Sequence, residues 1–142
     1  MKVVAPAPLA FLMLGTVHEM EARLESALGQ AGLSLAKFGV LARLAEAGEP
    51  LALGCLADRC CCVRSNMTQL VDRLEADRLV ERVDDPNDRR SIKAALTPDG
   101  RSRYEDGVRL LEEAEREVFA PLAGPERAAL VQLLQTLQTY SK

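Results

Sequence analysis

Residues 51–97, LALGCLADRCCCVRSNMTQLVDRLEADRLVERVDDPNDRRSIKAALT, change their apolar period within a few dozen positions, and few folds accept the resulting order of parts. Leu53, Leu56 and Ala57 give a short helix an inner face. After a turn, Val63, Met67, Leu70, Val71 and Leu74 recur at helical spacing over about Val63 to Leu79. Two strand-like runs follow, Leu79 to Val83 and Ile92 to Thr97, the second alternating Ile92, Ala94 and Leu96 against Lys93, Ala95 and Thr97. Asp85-Pro86-Asn87-Asp88 between them is strong turn chemistry.

Short helix, turn, longer helix and hairpin is the order of a winged helix-turn-helix, so the expected class is mainly α with a small β-hairpin wing (α+β). Outside its apolar stripe the longer helix opens with Arg64, Ser65, Asn66, Thr68 and Gln69, and Arg73 follows. These side chains suit base edges in a major groove: Asn or Gln pairs bidentately with adenine, Arg with guanine, and a Thr methyl touches that of thymine. Arg89 and Arg90 are expected at the end of the hairpin loop, one to enter a minor groove and the other to pair with Asp88 or a phosphate. Two plainer readings stand beside this one. Residues 64–69 could be an ordinary solvated helix face. Asp72, Glu75 and Asp77 would suit a winged-helix module that binds proteins and no DNA. The acid-free opening turns, which would approach the bases, favour DNA.

The flanks supply a scaffold. Leu9, Leu12, Met13, Thr16, Val17, Met20, Leu24 and Leu28 predict a helix from about 7 to 29, ended by Gly29 and Gly32. Ser34 is a good N-cap for a second helix that turns Leu35, Phe38, Leu41, Ala42 and Leu44 inward and stops near Gly48 and Pro50. Thr97-Pro98 is a cap and first-position pair opening a long helix to about Phe119, with Tyr104, Val108, Leu111, Ala114 and Val118 on one face. Beyond Pro121 and Gly124 a last helix carries Leu130, Val131, Leu133, Leu134 and Leu137. That arc is wide for a surface helix, and packing against a second chain is its natural use. The expected organisation is one domain over 1–142, with a DNA-binding unit at 51–97 and dimerisation helices at 7–30 and 98–142. A two-fold homodimer would present two reading helices to half-sites one DNA turn apart.

Composition narrows the classes. The 142 residues are 48% apolar, enough for one modest core. Net charge is −3, but residues 59–103 sum to +2 and the remainder to −5, so the reading unit is the less acidic part. Three Phe, two Tyr and no Trp are poor material for stacking on unpaired bases, whereas duplex binding needs no such platform. The apolar run after Lys2 is interrupted by Pro6 and Pro8 and is too short to span a bilayer, which leaves no membrane partner and a cytoplasmic setting. There the four cysteines are expected as reduced thiols. No nucleophile motif or phosphate-cradling glycine loop accompanies the lone His18, so neither an enzyme nor a cofactor is expected.

LADR, VRSNMTQLVDRLEADRLVERVDDPNDRRS and LTPDGR together resemble the core of the MarR family of transcriptional regulators, and the flanking helices extend the likeness to about residues 7–141. The resemblance implies an obligate homodimer on pseudo-palindromic double-stranded operators, released by a small aromatic ligand or by oxidation. It also implies an effector cavity between the dimer helices and the reading unit, to which Phe11, Phe38, Val40, Leu41 and Tyr104 could contribute; core packing explains the same residues. Three departures stand out. Arg78 occupies a position where the family commonly carries glycine, Val63 replaces the usual capping residue, and the turn between the two reading-unit helices holds Cys60, Cys61 and Cys62, with Cys55 on the short helix. Between Arg59 and Arg64, near a helix N-terminus, these cysteines suit redox sensing, while as small apolar residues they suit packing. Metal sensing fits least and no metal site is assigned, because three consecutive side chains diverge, no C-x-x-C pair exists and His18 is remote.

Overall fold

A computed structural model describes residues 8–60 and 64–140. Along these the order is α1 (Leu9–Gly29), α2 (Leu35–Ala47), β1 (Leu51–Ala52), α3 (Leu53–Arg59), α4 (Arg64–Ala76), β2 (Val80–Asp85), β3 (Asp88–Leu96), α5 (Pro98–Phe119) and α6 (Gly124–Tyr140). The fold is mainly helical with one small antiparallel sheet, strand order β1-β3-β2. Among the described residues no helix is long and apolar enough to cross a membrane.

The same stop signal ends both α1 and α4. After α1 the Leu33 amide donates to the Leu28 carbonyl and Gly32 to Gly29, with Gly32 at a φ of 69°. After α4 the Leu79 amide donates to Leu74 and Arg78 to Glu75, with Arg78 at a φ of 62°. Each is the paired-bond stop that requires one left-handed residue, and in each the two leucines it brings together are buried. Glycine takes that conformation freely; Arg78 is the only described non-glycine residue that does so. The left-handed turn also explains why α4 stops at Ala76, short of the expected Leu79.

Ser34 caps α2 by accepting from the Lys37 amide at 3.1 Å, and Glu25 of α1 accepts from the Leu35 amide at 2.7 Å, which ties the two helices together. Gly48, left-handed at 67°, ends α2. The core then gathers Val40, Leu41 and Leu44 of α2, Leu56 and Ala57 of α3, Met67, Val71 and Leu74 of α4, Leu79 just before β2, and Val80 and Ala94 of the sheet.

The hairpin is longer than the alternation suggested. β2 and β3 pair from Val80↔Leu96 out to Asp85↔Asp88, with an irregularity at Asp84/Asp85, and only Pro86 and Asn87 form the turn. Asp85 accepts from the Asn87 amide at 2.9 Å, and that local bond lets the ladder run to its tip. β1, absent from the sequence reading, sets Leu51 opposite Ala94 and Ala52 opposite Lys93; two residues are too few to show a period. Of the three residues expected to face inward, Ala94 is fully buried, Leu96 partly so, and Ile92 remains 45% exposed because it lies beyond the reach of β1.

α5 is fastened to the end of α4. The Thr97 hydroxyl lies 2.8 Å from the Arg78 carbonyl and 3.0 Å from that of Leu79 while accepting from the Gly100 amide at 2.9 Å, and the Thr97 amide donates to Leu79 at 3.1 Å. Helix and chain pass so closely that a Cβ on Gly100 would sit 2.0 Å from the Leu79 carbonyl oxygen. α6 by contrast buries no residue.

Two substitutions test this joint. Arg78→Gly should raise unfolding free energy by about 1 kcal/mol, since it removes the left-handed penalty; urea denaturation would show a higher midpoint at unchanged slope. Gly100→Ala should lower it by about 3 kcal/mol, because the obstructing atom is backbone.

Candidate nucleic-acid interface

α3 and α4 form the helix-turn-helix, and α4 is the helix whose outer face carries exposed polar side chains. Met67, Leu70, Val71 and Leu74 are buried, while Asn66, Thr68, Gln69 and Arg73 are exposed. Helical geometry puts Gln69 near the middle of the outer face, Thr68 on the flank toward the hairpin, and Asn66 and Arg73 on the opposite flank. The first turn carries no acid. Expectations for the side chains of Arg64 and Ser65, and for Cys61 and Cys62, fall outside the described residues.

Arg89 and Arg90 do not sit in a loop as expected. Both belong to the start of β3, because the turn is confined to Pro86 and Asn87. Consecutive strand residues point to opposite faces. Arg90 lines a 450 Å³ cleft with Thr68 of α4 and Cys55 of α3, and Arg89 is directed the other way. Asp88 supports the wing differently from the expected pairing with a guanidinium: its carboxylate accepts from the Arg90 backbone amide at 3.0 Å and so holds the strand start. Among the described residues Arg73, Arg89 and Arg90 make no ion pair.

The acids of α4, which weighed against DNA, are occupied. Arg82 on β2 donates through its guanidinium to Asp72 and, at 2.9 Å, to Glu75, and its backbone amide donates to Glu75 at 3.1 Å. The hydrogen bond to Asp72 raises the Arg82 pKa above its ordinary value; desolvation opposes this, and the Asp72 and Glu75 charges add to it. Asp77 is met by Lys37 of α2 at 2.8 Å. The sequence reading missed Arg82 altogether. The available signal was the one-turn spacing of Asp72 and Glu75 on one side of α4, followed by a strand bearing a single Arg in LVER.

Cys60 caps the C-terminal end of α3, half-buried against the core, and Cys55 is half-buried on the cleft wall. Of the candidate effector residues, Phe38 and Tyr104 stack on each other with centroids 5.5 Å apart. A Cβ on Gly107 would lie 2.8 Å from the Phe38 ring. Val40 and Leu41 are fully buried, so these four side chains fill space together. Phe11 does not join them and is 68% exposed near the start of α1. An open cleft of 290 Å³ lies instead between α1 and α5, lined by Arg23, Ser26, Gln30, Leu110 and Glu113 among others.

Known proteins place this architecture. The MarR family model matches residues 33–92. The HTH-type transcriptional regulator YsmB of Bacillus subtilis is 32% identical over 115 residues, spanning 81% of this chain and 78% of that protein. The chain belongs to the MarR family. It is a MarR-family transcriptional regulator by descent and by fold. The homoprotocatechuate degradative operon repressor of Escherichia coli is 34% identical over 80 residues, 56% of this chain and 54% of the repressor. A cysteine-to-serine mutant of MarR from E. coli, solved in complex with operator DNA, superposes with a TM-score of 0.84 at 25% identity, covering 92% of this chain and 94% of that one.

Proposed function

We propose that this MarR-family chain binds a pseudo-palindromic operator as a homodimer and represses transcription from it, acting in the cytoplasm alongside its DNA. In this reading 51–97 is the DNA-binding unit, and 7–30 and 98–142 are the dimerisation helices. One observation carries it: the acid-free, polar opening of α4 stands beside a hairpin whose Arg89 and Arg90 make no ion pair among the described residues. α4 would lie in the major groove, with Gln69, Thr68 and Asn66 at base edges and Arg73 at phosphate, while Arg90 follows the wing into the adjacent minor groove. The operator complex of the related MarR supports the DNA partner, and the operon repressor of E. coli supports the sign of regulation.

The dimer is supported by apolar surface that this chain leaves uncovered. Leu9, Phe11, Leu12 and Leu14 of α1 are 61–71% exposed, and Val131, Leu133 and Leu137 of α6 are 51–64% exposed. Apolar exposure of this extent on so small a chain calls for a partner. Release is proposed to come from a small aromatic effector or from oxidation of the cysteines around the helix-turn-helix. The effector reading is supported by the relative that represses an operon for degrading homoprotocatechuate, itself an aromatic acid. The thiol reading is supported by the placement of Cys55 on the helix that precedes α4 and of Cys60 at that helix's end.

The deciding measurement is fluorescence anisotropy against the DNA upstream of the chain's own gene, at two salt concentrations and before and after mild oxidation. Salt-dependent binding that exceeds binding to random DNA is expected; no preference at all would favour the protein-interaction module. Arg90→Ala should weaken binding about tenfold and reduce the salt slope by about one. Leu134→Glu should convert the dimer to a monomer in light scattering and weaken operator binding by roughly a hundredfold, as each half-site loses its tethered neighbour. A Leu134→Glu protein that stays dimeric would move the seam away from α6.

A further inference from the structure

The two elements read as DNA-facing, α4 and the hairpin, are joined outside the core through Arg82. Arg82 lies at the base of the wing on β2, the outer strand of the sheet. It reaches Asp72 and Glu75, one turn apart on α4, with its guanidinium, and its own amide donates to Glu75. The Arg82 side chain is 24% exposed, better shielded than an ordinary surface partner. Beyond it the hairpin continues as a free arm: Arg82 pairs with Ala94, and Arg90 lies four residues further out along β3. At the rise of a strand that is roughly 13 Å, so a swing of about 10° at the base displaces the tip by about 2 Å, enough to break a hydrogen bond.

We propose that Arg82 is a positioning residue for DNA recognition: its bonds to Asp72 and Glu75 hold the reading helix and the wing at one angle, so that α4 and Arg90 engage the duplex in a single register. The proposal rests on the DNA-binding reading. It separates Arg82 from a phosphate contact, which would act through its charge, and from a residue that only adds stability. With the clamp removed, base-edge and minor-groove contacts compete for alignment, whereas phosphate contacts, which tolerate displacement, persist.

The test uses the full chain, a duplex selected by the wild-type protein from a random-sequence pool, and a scrambled duplex of equal length. Two variants are compared with wild type at a temperature where urea curves show all three folded: Arg82→Met, and Asp72→Asn combined with Glu75→Gln, which leaves the Arg82 cation in place. Both are expected to lose about tenfold in affinity for the selected duplex and less than about twofold for the scrambled one. Arg90→Ala should also matter less in the Arg82→Met background than in wild type. Weaker binding to both duplexes with Arg82→Met, and tighter binding with the double variant, would overturn the proposal in favour of a phosphate contact. An unchanged ratio between the duplexes would reduce Arg82 to a stabilising role. Amide hydrogen exchange over residues 80–92 of the free protein reads the clamp without DNA, and faster exchange is expected in both variants. Unchanged exchange would overturn the clamp alone, while a wild-type protein that selects no duplex would overturn the DNA reading and the recognition role with it.

Discussion

The reading helix, the wing and the long helix α5 meet at the carbonyl of Leu79. The left-handed turn at Arg78 swings the chain so that Leu79 enters the core beneath α4, and its carbonyl then receives the Thr97 amide. Gly100 lets α5 pass within backbone contact of that oxygen. Reading helix, first wing strand and long helix thus share one small joint built from backbone groups and the Thr97 hydroxyl. A displacement of α5 would be felt at the C-terminal end of α4 before anywhere else. Arg103, which donates to the Ala31 carbonyl at 2.8 Å, fixes the same helix to the turn between α1 and α2.

Electrostatics divides the surface into paired and unpaired charge. The acids along α4 would repel a phosphate backbone if they stood alone, yet Asp72 and Glu75 are met by Arg82 and Asp77 by Lys37. These cations come from β2 and α2, elements that pack beside the helix, and its first turn carries no acid. The same ion pairs therefore shape the potential and the geometry. A chain of net charge −3 can in this way present a local field suited to an anionic partner.

Much of this was legible in the sequence because it is encoded locally. Ser34, Gly48 and the Thr97-Pro98 pair are caps whose chemistry acts within a few residues, and each ends or begins an element where that chemistry places it. Arg78 was legible through the family resemblance, as a departure where glycine is common, and its backbone is left-handed. What was not legible depends on distant partners. β1 exists only because Leu51 and Ala52 find Ala94 and Lys93 across the sheet. The stacking of Phe38 on Tyr104 depends on Gly107 bringing α5 against α2, which spacing along the chain does not reveal. Arg82 looked like one charge among many, since its partners lie on another element, seven and ten residues back. Arg89 and Arg90 were displaced from loop to strand by a turn two residues shorter than its composition suggested.

The distribution of buried side chains gives the outer helices their meaning. The core cluster runs from Leu28 to Ala94 and is complete within the reading unit and the helices that brace it. α6 adds nothing fully buried, and the first turns of α1 expose leucine and phenylalanine. Each such side chain, once covered, contributes about 1.5–3 kcal/mol, so even a few per chain exceed the margin on which a domain of this size rests. On the proposed reading this places the free energy of pairing in the ends of the chain and the free energy of folding in its middle. The reading unit can then hold its shape while the spacing between two such units is adjusted through α5, which couples the two regions at Leu79.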